Sequence, residues 1–182
     1  MQLKGKTAII TGGGSGFGAS MADLFAKNGA KVIVADIDLD NAHKVAEGTG
    51  GYALEVDVSN AKSVDQMKVD IFKEHKKVDI VVNNAGTTHL PAPMETIEED
   101  EFDRVFNVNC KSVYLTAKHF VPHFKENKSG VILNIASTAG VSPRPNLNWY
   151  NSSKGWMILA SKTMAVELAP FGIRVNVINP VA

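Results

Sequence analysis

The 182-residue sequence holds one cysteine, Cys110, so it can form no internal disulfide; a reducing, cytoplasmic setting is expected, with Cys110 as a small buried apolar side chain. It lacks an excess of either charge. Nineteen basic residues balance nineteen acidic ones, which leaves no broad electrostatic footprint for nucleic acid or an anionic membrane surface, so neither is an expected partner. No stretch approaches the ~18 apolar residues of a membrane span. The start, Met1-Gln2-Leu3-Lys4-Gly5-Lys6, has no apolar signal region. Histidines at metal-ligand spacing are also wanting: His119 and His123 lie four apart on a predicted helix without a third ligand, and no metal is expected. Repeats, low-complexity tracts and linkers are absent, so one domain over 1–182 is expected.

What the chain does have is a concentration of glycine. A short β-branched apolar run, 6–11, suits a strand buried on both faces. It runs directly into Thr11-Gly12-Gly13-Gly14-Ser15-Gly16-Phe17-Gly18, after which Phe17, Met21, Leu24 and Phe25 recur at helical spacing. Strand, glycine turn and helix in that order place unpaired N–H groups and the positive end of a helix dipole at one spot. A pyrophosphate can sit there, and glycines let it approach the backbone. The helix is expected to end near Asn28-Gly29.

A second strand, 31–35, finishes in Asp36, twenty residues after Gly16. In a βαβ nucleotide unit an acid at that place accepts the adenosine ribose hydroxyls, and its charge repels a 2′-phosphate. Ser15 and Ile37, the neighbours best placed to supply a compensating cation, are not basic. The expected cofactor is NAD rather than NADP. The competing reading of Asp36 is a turn former or N-cap.

The alternation continues with a helix over 39–47, a strand over 52–56 running into Asp57-Val58-Ser59, and a helix over 61–75. A strand over 78–82 then meets Asn83-Asn84-Ala85-Gly86, and a single long helix over 98–125 carries Asn107, Asn109 and Cys110, with Pro122 expected to bend its last turns. A strand over 130–136 ends at Ser137, a helix spans 149–169, and a strand over 173–178 leads to Asn179-Pro180. Parallel neighbours need crossovers of this kind, so the fold class is α/β: a doubly wound parallel sheet of the Rossmann type in three α/β/α layers, six strands being present. Ligands of such sheets lie beyond the carboxyl ends of the strands, where Gly12, Asp36, Asp57 and Asn83 fall.

One further pair carries chemistry. In the helix over 149–169, Tyr150 and Lys154 share a face. A cation fixed beside a phenol favours the phenolate and lets the group exchange a proton near neutrality.

Taken together and in order, these stretches resemble the short-chain dehydrogenase/reductase family. The resemblance rests on Thr11, Gly12, Gly16 and Gly18, then Asp57-Val58, Asn83-Asn84-Ala85-Gly86 and Asn109. It continues through Ser137 and Tyr150-x-x-x-Lys154 to Asn179-Pro180. It implies an NAD(H)-dependent oxidoreductase that interconverts a secondary alcohol and a ketone. Tyr150 would be the general acid/base, Lys154 would support it and hold the nicotinamide ribose, and Ser137 would donate to the substrate oxygen. Asn109 would hold a water linking Lys154 to solvent. The cofactor would lie along Gly12, Ser15, Gly16, Phe17, Gly18, Asp36, Ile37, Asp57, Val58, Asn83, Ala85, Gly86 and Pro180, besides Tyr150 and Lys154. Plainer roles stand beside these: Ser137 as a turn cap, Asn109 as a satisfied buried amide, Asn83 and Asn84 as ties between strands. Arg144, between Pro143 and Pro145, could bind an acidic substrate or simply be solvated.

The resemblance further implies a homo-oligomer, a tetramer or else a dimer, formed through the helices that begin at Glu98 and Trp149. The substrate would be a small alcohol or ketone, with 3-oxoacyl thioesters and sugars both in range. Two departures from the family pattern stand out. Val181 takes the place of the usual glycine after Pro180, and the family's substrate-covering part and seventh strand are expected beyond residue 182. An NAD-binding sensor with vestigial catalytic groups is the alternative reading, and dehydration or epimerisation of a nucleotide-sugar a third.

Overall fold

The computed structural model describes residues 2–181. Strands β1 (Thr7–Thr11) and β4 (Ile80–Asn83) are buried at every position, as strands covered on both faces must be. With β2 (Lys31–Asp36), β3 (Tyr52–Glu55), β5 (Gly130–Ile135) and β6 (Ile173–Ile178) they form one sheet in the order β3-β2-β1-β4-β5-β6. Every pairing is parallel. The chain winds outward from β1 in one direction and from β4 in the other, so the loops after these two adjacent strands diverge. That divergence opens a crevice at their carboxyl ends.

Alternate residues of the central strands feed two cores. Ala8, Ile10, Val32, Val34, Ile80 and Val82 meet α1 (Gly16–Lys27) and α2 (Leu39–Thr49). Ile9, Ile33, Val81 and Ile132 meet α3 (Ala61–Glu74), α5 (Ser112–Asn127) and α6 (Asn148–Leu168) through Val64, Met67, Ile71, Leu115, Phe120, Phe124 and Leu168. Among the described residues, no helix is long and apolar enough to cross a membrane.

The long helix expected over 98–125 is not one α-helix. It divides into α4 (Glu99–Phe106), a π-helical turn (Asn107–Lys111) and α5. A π turn inserts one residue into the helical repeat, which re-aims the side chains on either side of it and often marks a functional position. Here it carries Asn109 and Cys110 inward, both buried. Elsewhere the expected boundaries differ from the observed ones by one or two residues, and β6 matches at both ends.

A chain of hydrogen bonds crosses the buried sheet. Thr116 Oγ1 donates to Asn83 Oδ1 (2.8 Å), Asn83 Nδ2 to Asn134 Oδ1 (2.7 Å), and Asn134 Nδ2 to Ser161 Oγ (2.8 Å). It links α5, β4, β5 and α6, and every member is nearly inaccessible to solvent.

Candidate active site

The glycine turn after β1 is held by backbone contact. A Cβ on Gly18 would lie 2.0 Å from Gly12 O, so only glycine lets the first turn of α1 press on the loop below it. Thr11 and Asn84 stitch this turn to the loop after β4. Thr11 Oγ1 accepts from the amides of Asn84 (3.1 Å) and Ala85 (3.2 Å), and Asn84 Nδ2 donates to the carbonyls of Thr11 (3.0 Å) and Gly12 (2.9 Å). Gly16 stands at φ +51° with open space where a Cβ would point. Ser15, the N-cap of α1, makes no side-chain capping bond, and the first turn holds no acid. The helix start therefore offers its free amides and positive dipole to an anion.

A chamber of about 590 Å³ opens in front of this turn. Gly12, Ser15, Gly16, Phe17, Asp36, Ile37, Asp57, Val58, Ala85 and Gly86 all line it, as expected from the sequence. Asp36 is a turn former, the plainer of its two readings, and it also lines the chamber. Its Oδ2 accepts from the Gly14 amide (2.8 Å) and its Oδ1 from the Asp38 amide (3.0 Å), yet the residue still faces the chamber beside Ile37. Asp57 is likewise partly engaged, accepting from Ser59 N (2.9 Å) and Oγ (2.7 Å).

A second chamber of about 240 Å³ shares Phe17, Asn84, Gly86 and Thr87 with the first, so the two form one cleft. Ser137, Tyr150, Lys154 and Pro180 converge on it from β5, α6 and the end of β6. Lys154 Nζ lies 5.9 Å from the Tyr150 ring centroid and donates to Ile135 O (3.0 Å). The lysine is 4% exposed, and burial pushes its amine down to about 8. Burial likewise pushes the neighbouring Cys110 thiol up to about 12, so near neutral pH it is uncharged and supplies no counter-ion. Ser137 Oγ accepts from Ala139 N (3.1 Å), the cap foreseen as its plainer role, while its own O–H faces the chamber and can donate.

Three expected residues do not reach the cleft. Asn83 spends its amide inside the sheet, and Asn84 is the asparagine that faces the chambers. Gly18 serves helix packing and lines neither chamber. Asn109 is fully buried, its Oδ1 accepting from Thr87 N (2.9 Å) and its Nδ2 donating to Thr87 O (2.8 Å) and Ser153 Oγ (2.9 Å). It stands just behind the wall: a Cβ on Gly86 would be 3.3 Å from Lys154 Nζ and 3.4 Å from Asn109 Oδ1. Lining residues missed in the sequence include Thr87, Thr88, Arg104, Val108, Ile135 and Ala136. Thr87 and Thr88 follow the Asn-Asn-Ala-Gly stretch directly, and Ile135 and Ala136 precede Ser137, so adjacency was the available signal. Nothing local marks Arg104.

A dinucleotide suits this cleft. The free amides of α1 would take a pyrophosphate, Asp36 and Ile37 the adenosine end, and Tyr150, Lys154 and Pro180 the nicotinamide end. The first chamber alone lies in the range of small-molecule sites, and the second extends it.

Comparison with known proteins agrees. The sequence profile described as short chain dehydrogenase matches residues 6–182. A 4-formylbenzenesulfonate dehydrogenase of Comamonas testosteroni is 44% identical over 99% of this chain and 73% of its own. A 3-oxoacyl-[acyl-carrier-protein] reductase of Thermotoga maritima is 37% identical over 99% of this chain and 75% of its own. Among solved structures, a 3-ketoacyl-(acyl-carrier-protein) reductase from Brucella melitensis complexed with NADH superimposes with a TM-score of 0.97. It is 49% identical and covers 99% of this chain and 77% of its own.

Proposed function

This chain belongs to the short-chain dehydrogenase family, and on that premise we propose that it interconverts a secondary alcohol and a ketone with NAD(H), Tyr150 acting as general acid/base. The observation that carries the reading is the convergence of Ser137, Tyr150 and Lys154 on one chamber that opens into a nucleotide-sized one. The nicotinamide, when bound, supplies or accepts the hydride. The chain's own groups handle the proton and the charge. Ser137 and Tyr150 direct two O–H donors at the substrate oxygen; in reduction Tyr150 gives up its proton, and in oxidation it takes the alcohol's. The Lys154 ammonium stabilises the phenolate left behind and reaches the ribose side of the cofactor. Asn109 keeps one lone pair of Oδ1 beyond its bond to Thr87, where it can hold the water that relays a proton from Lys154.

The NAD preference is supported by the Asp36 carboxylate facing the chamber with no basic partner in Ser15 or Ile37. The relatives' substrates make 3-oxoacyl thioesters and aromatic aldehydes the first compounds to assay, with sugars after them. A homo-oligomer is supported by an apolar outer face on α5 and α6, where Tyr114 is 55% and Leu159 66% exposed beside Trp156. Charge balance and the lone cysteine agree with a cytoplasmic setting.

Tyr150→Phe tests the mechanism. NADH binding, followed by its fluorescence, should survive while turnover of an acetoacetyl thioester falls by roughly a hundredfold or more. Turnover like that of the unaltered protein would refute the role of Tyr150. NADH binding without oxidoreduction across a broad alcohol and ketone panel would instead support a dinucleotide sensor.

A further inference from the structure

The 86–88 segment lies outside every helix and strand, yet its Gly86 and Thr87 line both chambers and Thr88 the second. Side chains set its place. The Asn109 amide takes both backbone groups of Thr87, as a neighbouring strand would. From the other side, Arg104 Nη1 donates to Thr87 Oγ1 and Arg104 Nη2 donates to Thr88 O (2.9 Å). Arg104 is in turn clamped by both oxygens of Glu101, Nε to Oε2 at 2.9 Å and Nη2 to Oε1 at 2.7 Å. Four of its five N–H groups are thereby committed, and the planar guanidinium becomes a fixed fork between α4 and the wall. A lysine there, with a single point of charge, could not span Glu101 and two loop acceptors.

The arrangement contributes little to stability, because the Arg104 and Glu101 side chains are 45% and 36% exposed. Its reach into the site is short. Thr87 is bonded to Gly86, and a Cβ at Gly86 would lie 3.3 Å from Lys154 Nζ and 3.4 Å from Asn109 Oδ1, so the wall stands directly beside both groups. A wall that drifts therefore changes the spacing between this loop and the Lys154 ammonium.

We propose that Arg104, braced by Glu101, is a positioning residue: it fixes the 86–88 wall and with it the placement of bound cofactor relative to Tyr150 and Lys154. The kinetic part of this inference rests on the oxidoreductase reading above; the structural part does not.

The test compares Arg104→Met, Arg104→Lys and Glu101→Gln with the unaltered protein. In cofactor-free protein, hydrogen exchange read by mass spectrometry should rise in peptides covering 84–90 in both Arg104 variants, with β1 and α6 unchanged. The melting temperature should barely move, and the NADH dissociation constant should rise no more than about threefold. Turnover of an acetoacetyl thioester should fall about tenfold or more, with a larger deuterium isotope effect from 4-deuterated NADH, since loosened geometry burdens the hydride step. Glu101→Gln should fall between. Unchanged exchange over 84–90 in both Arg104 variants would overturn the proposal. So would parallel losses of affinity and turnover with an unchanged isotope effect, which would make Arg104 a simple binding contact. Should Arg104→Met not fold, Arg104→Lys and Glu101→Gln decide. Inactivity of the unaltered protein across the alcohol and ketone panel would refute the oxidoreductase reading, and the exchange data would then decide the bracing on their own.

Discussion

Replacing Lys154 with methionine should alter how stability depends on pH. The amine is 4% exposed, bonds Ile135 O, and has an uncharged thiol in Cys110 beside it, so the folded state holds its charge at a cost. Burial takes its pKa from 10.5 to about 8. Below pH ~8 both folded and unfolded chains carry the proton, and the folded state bears the whole penalty. Between about 8 and 10.5 the folded state releases its proton first, so the unfolded chain binds more protons and stability rises with pH. Above the unfolded value the gain is complete. At ~1.4 kcal/mol per pH unit, the rise over this interval amounts to ~3 kcal/mol, and Lys154→Met abolishes it. For a chain of this length that corresponds to ~2–4 °C of melting temperature per kcal/mol. Urea unfolding of the cofactor-free proteins by far-ultraviolet circular dichroism at pH 7.5, 8.5, 9.5 and 10.5 measures it. Carrying Tyr150→Phe in both proteins removes the coupled phenol, and subtracting the variant's curve then cancels the remaining lysines and tyrosines. Parallel curves over that range would refute the argument, because they would mean the ammonium is solvated or paired.

Gly18→Ala should cost ~3 kcal/mol and weaken NADH binding together, since its Cβ would lie 2.0 Å from Gly12 O; an unchanged melting temperature would show that the turn yields freely. Asn134→Ala should cost ~2 kcal/mol in urea unfolding by leaving Asn83 Nδ2 buried without its acceptor, while Ser161 Oγ keeps its bond to Met157 O, and a loss under ~1 kcal/mol would mean that water replaces the amide. Asp36→Ala should lower the ratio of kcat/KM for NAD(H) over NADP(H) about tenfold, whereas an unaltered protein that uses both equally would show Asp36 to be only a turn former. Leu159→Glu, at the centre of the apolar face on α5 and α6, should reduce the mass measured by light scattering, and an unchanged oligomer would place the interface elsewhere.

The order of strands and helices could be read from the sequence because hydrophobic period is a local property: a run such as Ile173–Ile178 declares itself without reference to anything distant. The glycine turn, the acid closing β2 and the Tyr150/Lys154 pair were legible for the same reason, since each lies within one strand–turn–helix unit or one helical turn. Asn83 and Asn84 show where this stops. Adjacent and identical in type, they differ only in which way the end of β4 turns them, one into the sheet toward Asn134 and the other into the cleft. Asn109 looked like one more position in a long helix. Only the folded chain shows the π turn that brings its amide to Thr87, 22 residues away.

Thus the sequence alone determined the alternation of elements, the class of fold and the residue types at the carboxyl edge of the sheet. The tertiary structure decided which of those side chains face the cleft, which are spent on holding its walls, how deeply the Lys154 charge is buried, and that Arg104 meets Thr87 and Thr88 at all. The reason is physical. Periodicity and turn chemistry act over a few residues, whereas desolvation and hydrogen-bond partnership depend on which distant strands become neighbours, and that is settled only when the sheet assembles.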